Sequence, residues 1–255
     1  SRRRQRQMCI RDRFHSDHVY LNRNMVLDIH TEEIYKKFLN KLTIEDLSQY
    51  PDLWKTYEIL SQFLCVPQEN LLITRGVEGA IKQVFDNFNF IRNTVGIITP
   101  TYAMYEVYAM SKGVDVKKIK CQGPDYKTSV ANVKKLIPEI DILFLDNPKS
   151  HLPSSFSKEE IDEILNCCIE NNCLLFLDEV YAGWEAESYL SNRDIHPNLI
   201  VASGFSKVGF PCFKAGWLIA SKEMKLLCES NRSSYELNYF GCKGVEFLSL
   251  IHISE

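Results

Sequence analysis

Apolar residues in this chain fall into short unbroken runs, and most of the stretches between them carry helical spacing. Residues 71–74, 95–99, 114–119, 142–145, 174–177, 199–202 and 217–220 are seven apolar runs of strand length. Between them, residues 54–64, 79–88, 101–110 and 161–169 place apolar side chains at helical intervals. Ser157-Lys158-Glu159-Glu160 forms a capping box in front of the last of these. Gln49-Tyr50-Pro51-Asp52 reads as a turn, because proline biases the residue before it away from helix. Residues 14–40 are weakly periodic and predict an arm with one short helix. Runs apolar throughout, rather than alternating, predict strands covered on both faces. The expected fold is therefore α/β, a mainly parallel seven-stranded sheet with helices on both sides.

Ligands of such sheets bind beyond the carboxyl ends of the strands. Several chemically capable residues fall just there: Gly76-Val77-Glu78 after the first run, Thr101-Tyr102 after the second, Asp178 after the fifth and Lys207 after the sixth. Together they predict one rim. Gly76 permits close backbone approach, and the amides of Val77 and Glu78 open a helix whose dipole favours a phosphate. Tyr102 offers a face for a flat heterocycle. Asp178, ending a buried strand, stays ionised only beside a cation such as a protonated ring nitrogen. Tyr181 lies three residues on, within reach of the same ring. Ser206 brings a hydroxyl for phosphate. Lys207, hemmed in and desolvated, is expected to have a lowered pKa and to supply a nucleophilic amine. Phosphate, planar ring, ring cation and aldehyde together describe pyridoxal 5'-phosphate.

Composition narrows the alternatives. The chain has 255 residues, 45% hydrophobic and 25% charged, with a net charge of −3, enough for one sizeable core with room for a smaller second lobe. That near-neutral balance gives no push toward nucleic acid or membrane partners, and no run is long enough to span a bilayer. Nine scattered cysteines without a Cys-x-x-Cys pair point to a reducing, cytoplasmic setting and to no metal site. Cys167, Cys168 and Cys173 are expected in the core. Asp115, Glu139 and Asp141 read as solvated loop charges. There is no Gly-x-Gly-x-x-Gly, no P-loop and no serine-hydrolase elbow.

Thr74-Arg75-Gly76-Val77-Glu78, Thr99-Pro100-Thr101-Tyr102, Asp178-Glu179-Val180-Tyr181 and Phe205-Ser206-Lys207 resemble, in order and spacing, the motifs of the fold type I aminotransferases, classes I and II. The likeness is nearest to the histidinol-phosphate aminotransferase group and runs from about residue 21 to 227. It implies a three-layer transferase in which Lys207 holds pyridoxal phosphate as a Schiff base. Asp178 then pairs with the ring nitrogen, Tyr181 and Ser150 face the ring oxygen, and Tyr102 stacks. Gly76, Val77, Glu78, Ser206 and Lys214 surround the phosphate. It further implies amino transfer between an amino acid or amino-alcohol phosphate and a 2-oxo acid, and a homodimer in which Tyr50 reaches the neighbouring subunit's phosphate. Two positions depart from the family pattern: Ser150 stands where asparagine is expected, and Lys214 where arginine is expected. Lysine neutralises a phosphate without arginine's bidentate fork. A decarboxylase or lyase of the same fold, and a degenerate non-catalytic homologue, are the competing expectations.

Six of the eleven arginines fall in residues 1–13. That segment and residues 248–255 are read as non-native tails. The remainder divides into an arm (14–48), a large cofactor-binding domain (49–221) and the start of a small domain (222–247) truncated after residue 247. The N-terminal substrate segment of the family survives only as Leu21-Asn22-Arg23-Asn24.

Overall fold

The computed structural model describes residues 29–121, 128–152, 154–182, 188–191 and 194–253. The expected tail at 1–13, the Leu21–Asn24 segment and the last two residues of the 248–255 tail lie outside the described residues.

Each apolar run becomes a strand: β1 (Leu71–Thr74), β2 (Thr94–Thr99), β3 (Asp115–Lys120), β4 (Ile142–Asp146), β5 (Leu174–Asp178), β6 (Leu199–Gly204) and β7 (Gly216–Ala220). They form one sheet in the order β1-β7-β6-β5-β4-β2-β3. The pairs β2–β3, β2–β4, β4–β5 and β5–β6 are parallel; β7 alone runs against both of its neighbours. The unbroken apolar character of β4 and β5 follows from burial at every position. Edge strand β3 is the exception, with exposed Lys117, Lys118 and Lys120 along a margin that lysines keep from pairing with another chain.

Alternation along the strands sends side chains to two faces. On one, Ile142, Phe144, Leu174 and Phe176 meet helices α4 (Gly76–Asn87), α5 (Met104–Lys112) and α8 (Lys222–Glu229). On the other, Leu143, Leu145, Leu175 and Leu177 meet α6 (Val130–Leu136) and α7 (Lys158–Glu170), with Cys167, Cys168 and Cys173 in that layer as expected. The outer part of the same sheet, through Leu71, Ile73, Trp217 and Ile219, packs on α1 (Ile29–Leu39), α3 (Leu53–Leu64) and α9 (Tyr239–Ile253). A short helix α2 (Ile44–Ser48) precedes the turn at Tyr50, and Asp52 caps α3 through the Trp54 and Lys55 amides. The capping box at Ser157 and Glu160 is formed. Leu248 is buried in the third layer. No helix among the described residues is long and apolar enough to cross a membrane.

Two helix starts differ from the expected positions. Helix α4 begins at Gly76 rather than Gly79, because Arg75 already turns the chain off β1. Helix α5 begins at Met104, leaving Thr101 and Tyr102 in the connection and free to face the rim.

Asp141 is a correction. It is 2% exposed, not a solvated loop charge. Its carboxylate accepts from the backbone N–H groups of Ile91 (3.1 Å), Arg92 (2.9 Å) and Thr94 (3.2 Å), with the Arg92 guanidinium 3.7 Å away. It fastens the loop before β2 to the start of β4, a long-range tie that charge alone does not reveal. Asp141→Ala strands these donors and is expected to cost about 3 kcal/mol of stability, read as a lower urea midpoint. Asp141→Asn, which keeps one acceptor oxygen, should lose less.

Candidate active site

Six strands point their carboxyl ends at one edge of the sheet, and β7, being reversed, begins there. The chain order turns outward after β2 and inward after β3, so the crevice between β2 and β4 is the topological switch point where such sheets bind ligands. A cavity of about 370 Å³ opens at this rim, within the usual range of small-molecule sites. It is lined by Gly76, Val77, Glu78, Tyr102, Ser150, Asp178, Tyr181, Ser206, Lys207 and Lys214, every residue expected from the sequence save Tyr50. Tyr50 is 77% exposed and stacks on Tyr235 with ring centroids 4.6 Å apart.

Asp178 is the last residue of β5. Its partner across the parallel register is Asp146, and the Asn147 N–H closes the two strand ends by donating to the Asp178 carbonyl at 2.9 Å. The Asp178 side chain accepts from the Tyr105 hydroxyl at 2.6 Å and the Val180 N–H at 3.0 Å. Glu179, one residue on, turns to the other side and ties down the following loop through Ser188 Oγ and the Tyr189 N–H. Alternation thus gives the two acids of one motif different tasks. Burial pushes the Asp178 carboxyl up to about 7, against the opposing pull of Tyr105 and Val180, with Asp146 and Glu179 adding to the rise.

Lys207 ends a 3-10 turn, Phe205–Lys207, that follows β6 directly. Phe205 anchors this turn in the third layer, edge-on to Trp217 with centroids 5.0 Å apart. The Lys207 ammonium lies 5.5 Å from the centre of the Tyr181 ring. Burial lowers its pKa, Asp178 opposes that fall, and Lys214 reinforces it. The direction matches the sequence expectation of an amine made more available for attack.

The remaining wall is backbone and aromatic. Gly76 adopts φ +68°, and a Cβ placed on it meets nothing within 4 Å, whereas one on Gly216 would stand 2.7 Å from Gly76 Cα. Glycine at 216 therefore lets the start of β7 press against the turn into α4. Tyr102 stands edge-on to Tyr105 (5.7 Å, 87°), and burial, with Glu78 and Asp178 nearby, drives its hydroxyl pKa upward. Lys214 reaches the cavity because it precedes β7 instead of following it. Asn147 does not line the cavity: its side chain pairs with both backbone groups of Phe156.

Sequence reasoning missed Arg75, Val180, Pro211 and Ala215 in the lining, and missed Tyr105 and Lys149 behind it. Tyr105 had a signal, since it lies three residues after Tyr102 in the segment that enters α5. Lys149 had none, because nothing local marks a lysine as buried.

A carboxyl raised to about 7 from an ordinary value of 3.8 has a definite effect on the chain alone. Between those values the folded state binds more protons than the unfolded one. Stability is therefore fully present below about pH 4 and is lost as pH rises to about 7, by at most ~4 kcal/mol. Asp178→Asn should flatten this part of the profile, as read by urea midpoints between pH 4 and 8.

A mainly parallel three-layer sheet with an amine and a buried carboxylate at its carboxyl rim defines the fold type I transferase class. The chain belongs to the family "Aminotransferase class I and II", whose model matches residues 21–237. It is 27% identical over 205 residues to the histidinol-phosphate aminotransferase of Desulfitobacterium hafniense (strain Y51), covering 77% of this chain and 56% of that relative. Its structure is similar to that of L-threonine-O-3-phosphate decarboxylase from Porphyromonas gingivalis (TM-score 0.72, 18% identity, 89% of this chain and 67% of that one). It is also similar to histidinol-phosphate aminotransferase from Sinorhizobium meliloti in complex with pyridoxal-5'-phosphate (TM-score 0.71, 17% identity, 89% of this chain and 62% of that one). At such identities the structures share the fold. The chain spans little more than half the length of the curated relative.

Proposed function

We propose that this chain binds pyridoxal 5'-phosphate and, in the whole protein, transfers an amino group between an amino acid or amino-alcohol phosphate and a 2-oxo acid. The observation that carries this reading is the meeting of Lys207 and Asp178 in one cavity. The residues present fit the cofactor. The buried carboxylate has its own protein donors on one side, the Gly76 turn leaves room where a side chain would intrude, and Tyr102 supplies an aromatic wall.

When bound, the cofactor supplies an electron sink for the carbanion left after the substrate loses its α-proton. Lys207 would hold the cofactor through its amine and, as a free amine, would take the substrate's α-proton as general base and return it as acid. Asp178 would hold a proton on the ring nitrogen by its negative charge. Gly76, Val77 and Glu78 present the opening turn of α4 to the phosphate, with Ser206 and Lys214 alongside. Ser150 and Tyr181 offer hydroxyls to the ring oxygen. Lys214, a point charge in place of a fork, neutralises the phosphate without fixing its orientation.

A homodimer fits the exposed Tyr50–Tyr235 stack and its neighbour Trp54, 74% exposed, with Tyr50 reaching across to the partner's phosphate. Among the described residues eight cysteines are free thiols, in keeping with a cytoplasmic setting. The test is reduction by borohydride of the full chain loaded with pyridoxal phosphate, followed by peptide mapping. The label is expected on Lys207, and a label on Lys214 instead would overturn the assignment. Amino transfer to a 2-oxo acid distinguishes a transaminase from a decarboxylase, which releases carbon dioxide without moving the amine.

A further inference from the structure

Behind Asp178 lies a set of buried polar groups that the motifs do not account for. Asp146 and Asp178 are register partners on adjacent strands, and each is 2% exposed. Two desolvated carboxylates side by side cannot both remain charged without compensation, since each raises the other's proton affinity. Asp146 has its compensation. Lys149 Nζ stands 3.4 Å from Asp146 Oδ1, and the Ser150 N–H donates to Oδ2 at 2.8 Å. Lys149 is itself only 6% exposed and also donates to the Ile98 carbonyl at 3.0 Å. A lysine is seldom buried without a carboxylate to hold its charge.

Asp178 is held differently. The Tyr105 hydroxyl donates to Oδ2 at 2.6 Å from a ring that is 0% exposed and stacked on Phe144 at 5.0 Å. The packing fixes the hydroxyl and, with the Val180 N–H on Oδ1 at 3.0 Å, fixes the orientation of the carboxylate and of the lone pairs left on its two oxygens. The other titratable groups around Asp178 are Tyr102, Tyr181 and Lys207 in the cavity wall and Glu179, which is engaged by Ser188 and Tyr189.

We propose that Tyr105 and Lys149 are positioning residues for Asp178, Tyr105 by a direct hydrogen bond and Lys149 by neutralising Asp146, so that the negative charge facing the cavity resides on Asp178. This rests on the cofactor reading above and extends it to residues that touch no ligand. An ionised Asp178 holds a protonated ring nitrogen; a protonated Asp178 does not.

The experiment measures binding of two ligands to the cofactor-free full chain at pH 7.5: pyridoxal 5'-phosphate and its 1-deaza analogue, which has C–H in place of the ring nitrogen. Wild type is expected to prefer the natural ligand at least tenfold, the order of a charge-assisted hydrogen bond in a desolvated site. Tyr105→Phe and Lys149→Met should each cut that preference about tenfold while leaving affinity for the deaza analogue within roughly threefold. Asp146→Asn combined with Lys149→Met removes both charges and should restore the preference. Should Lys149→Met fail to fold, this double variant carries the decision on Lys149, and loss of preference there would overturn its part. Equal losses for both ligands, or an unchanged preference in Tyr105→Phe, would overturn the proposal. Absence of any preference in wild type would instead strike at the Asp178 reading itself.

Discussion

Lys207→Ala, loaded with pyridoxal phosphate in the absence of added amine, is expected to show no borohydride-fixable label and to lose amino transfer by at least about 10⁴-fold. Two roles disappear together, the attachment point and the group that shuttles the α-proton, so the loss exceeds that for a general base alone. The substitution should be tolerated structurally. Lys207 ends its short turn, and the neighbour that packs in the core is Phe205. Far-ultraviolet circular dichroism and the urea midpoint should therefore stay near wild type while activity vanishes. Small amines added to the variant supply the missing base and should restore a fraction of the rate. Lys214 is the internal control, because it lines the same cavity. A variant that lacks Lys207 yet keeps a full label would mean that Lys214 is the attachment point.

Asp178→Asn is the second large effect. Asparagine keeps the shape of the side chain: its one carbonyl oxygen can accept from the Val180 N–H, and its amide nitrogen can donate to the Tyr105 hydroxyl oxygen once that hydroxyl rotates. What it loses is the charge that keeps a ring nitrogen protonated. Removing an electrostatic stabiliser from a buried site typically costs 10²–10³-fold in kcat, about 3–4 kcal/mol. The expected result is a loss of about 10³-fold in kcat with the lysine-bound absorbance still present, because attachment depends on Lys207 and not on Asp178. Activity within tenfold of wild type would show that the carboxylate does not face the ring. Together the two variants separate attachment from electron withdrawal, and a degenerate homologue that only bound the cofactor would show neither loss of rate.

Much of the architecture was legible because strands covered on both faces have to be apolar nearly throughout, and six such runs are hard to mistake; the seventh, β3, is a lysine-bearing edge strand. The reach of each run was less legible. Asp146 and Asp178 belong to their strands although polar, since a strand ending at a ligand site can close on a charged residue. Helix α5 starts later than its spacing suggested because Thr101 and Tyr102 serve the rim. Asp141 was misread for a related reason. An acid between two apolar segments looks solvated until the loop before β2 folds over it and offers three backbone donors.

The sequence by itself determined the identities of ten of the cavity residues and their order along the chain. Each follows a strand or opens a turn, and those positions are local properties of the pattern. Only the tertiary structure decided that β7 runs in reverse, which brings Lys214 to the rim from the strand's beginning. It alone set Asp146 beside Asp178 and seated Lys149 and Tyr105 behind them. The physical reason is that strand direction and register depend on contacts between segments far apart in the chain. The charge of a buried carboxyl depends on whichever groups those contacts bring near it.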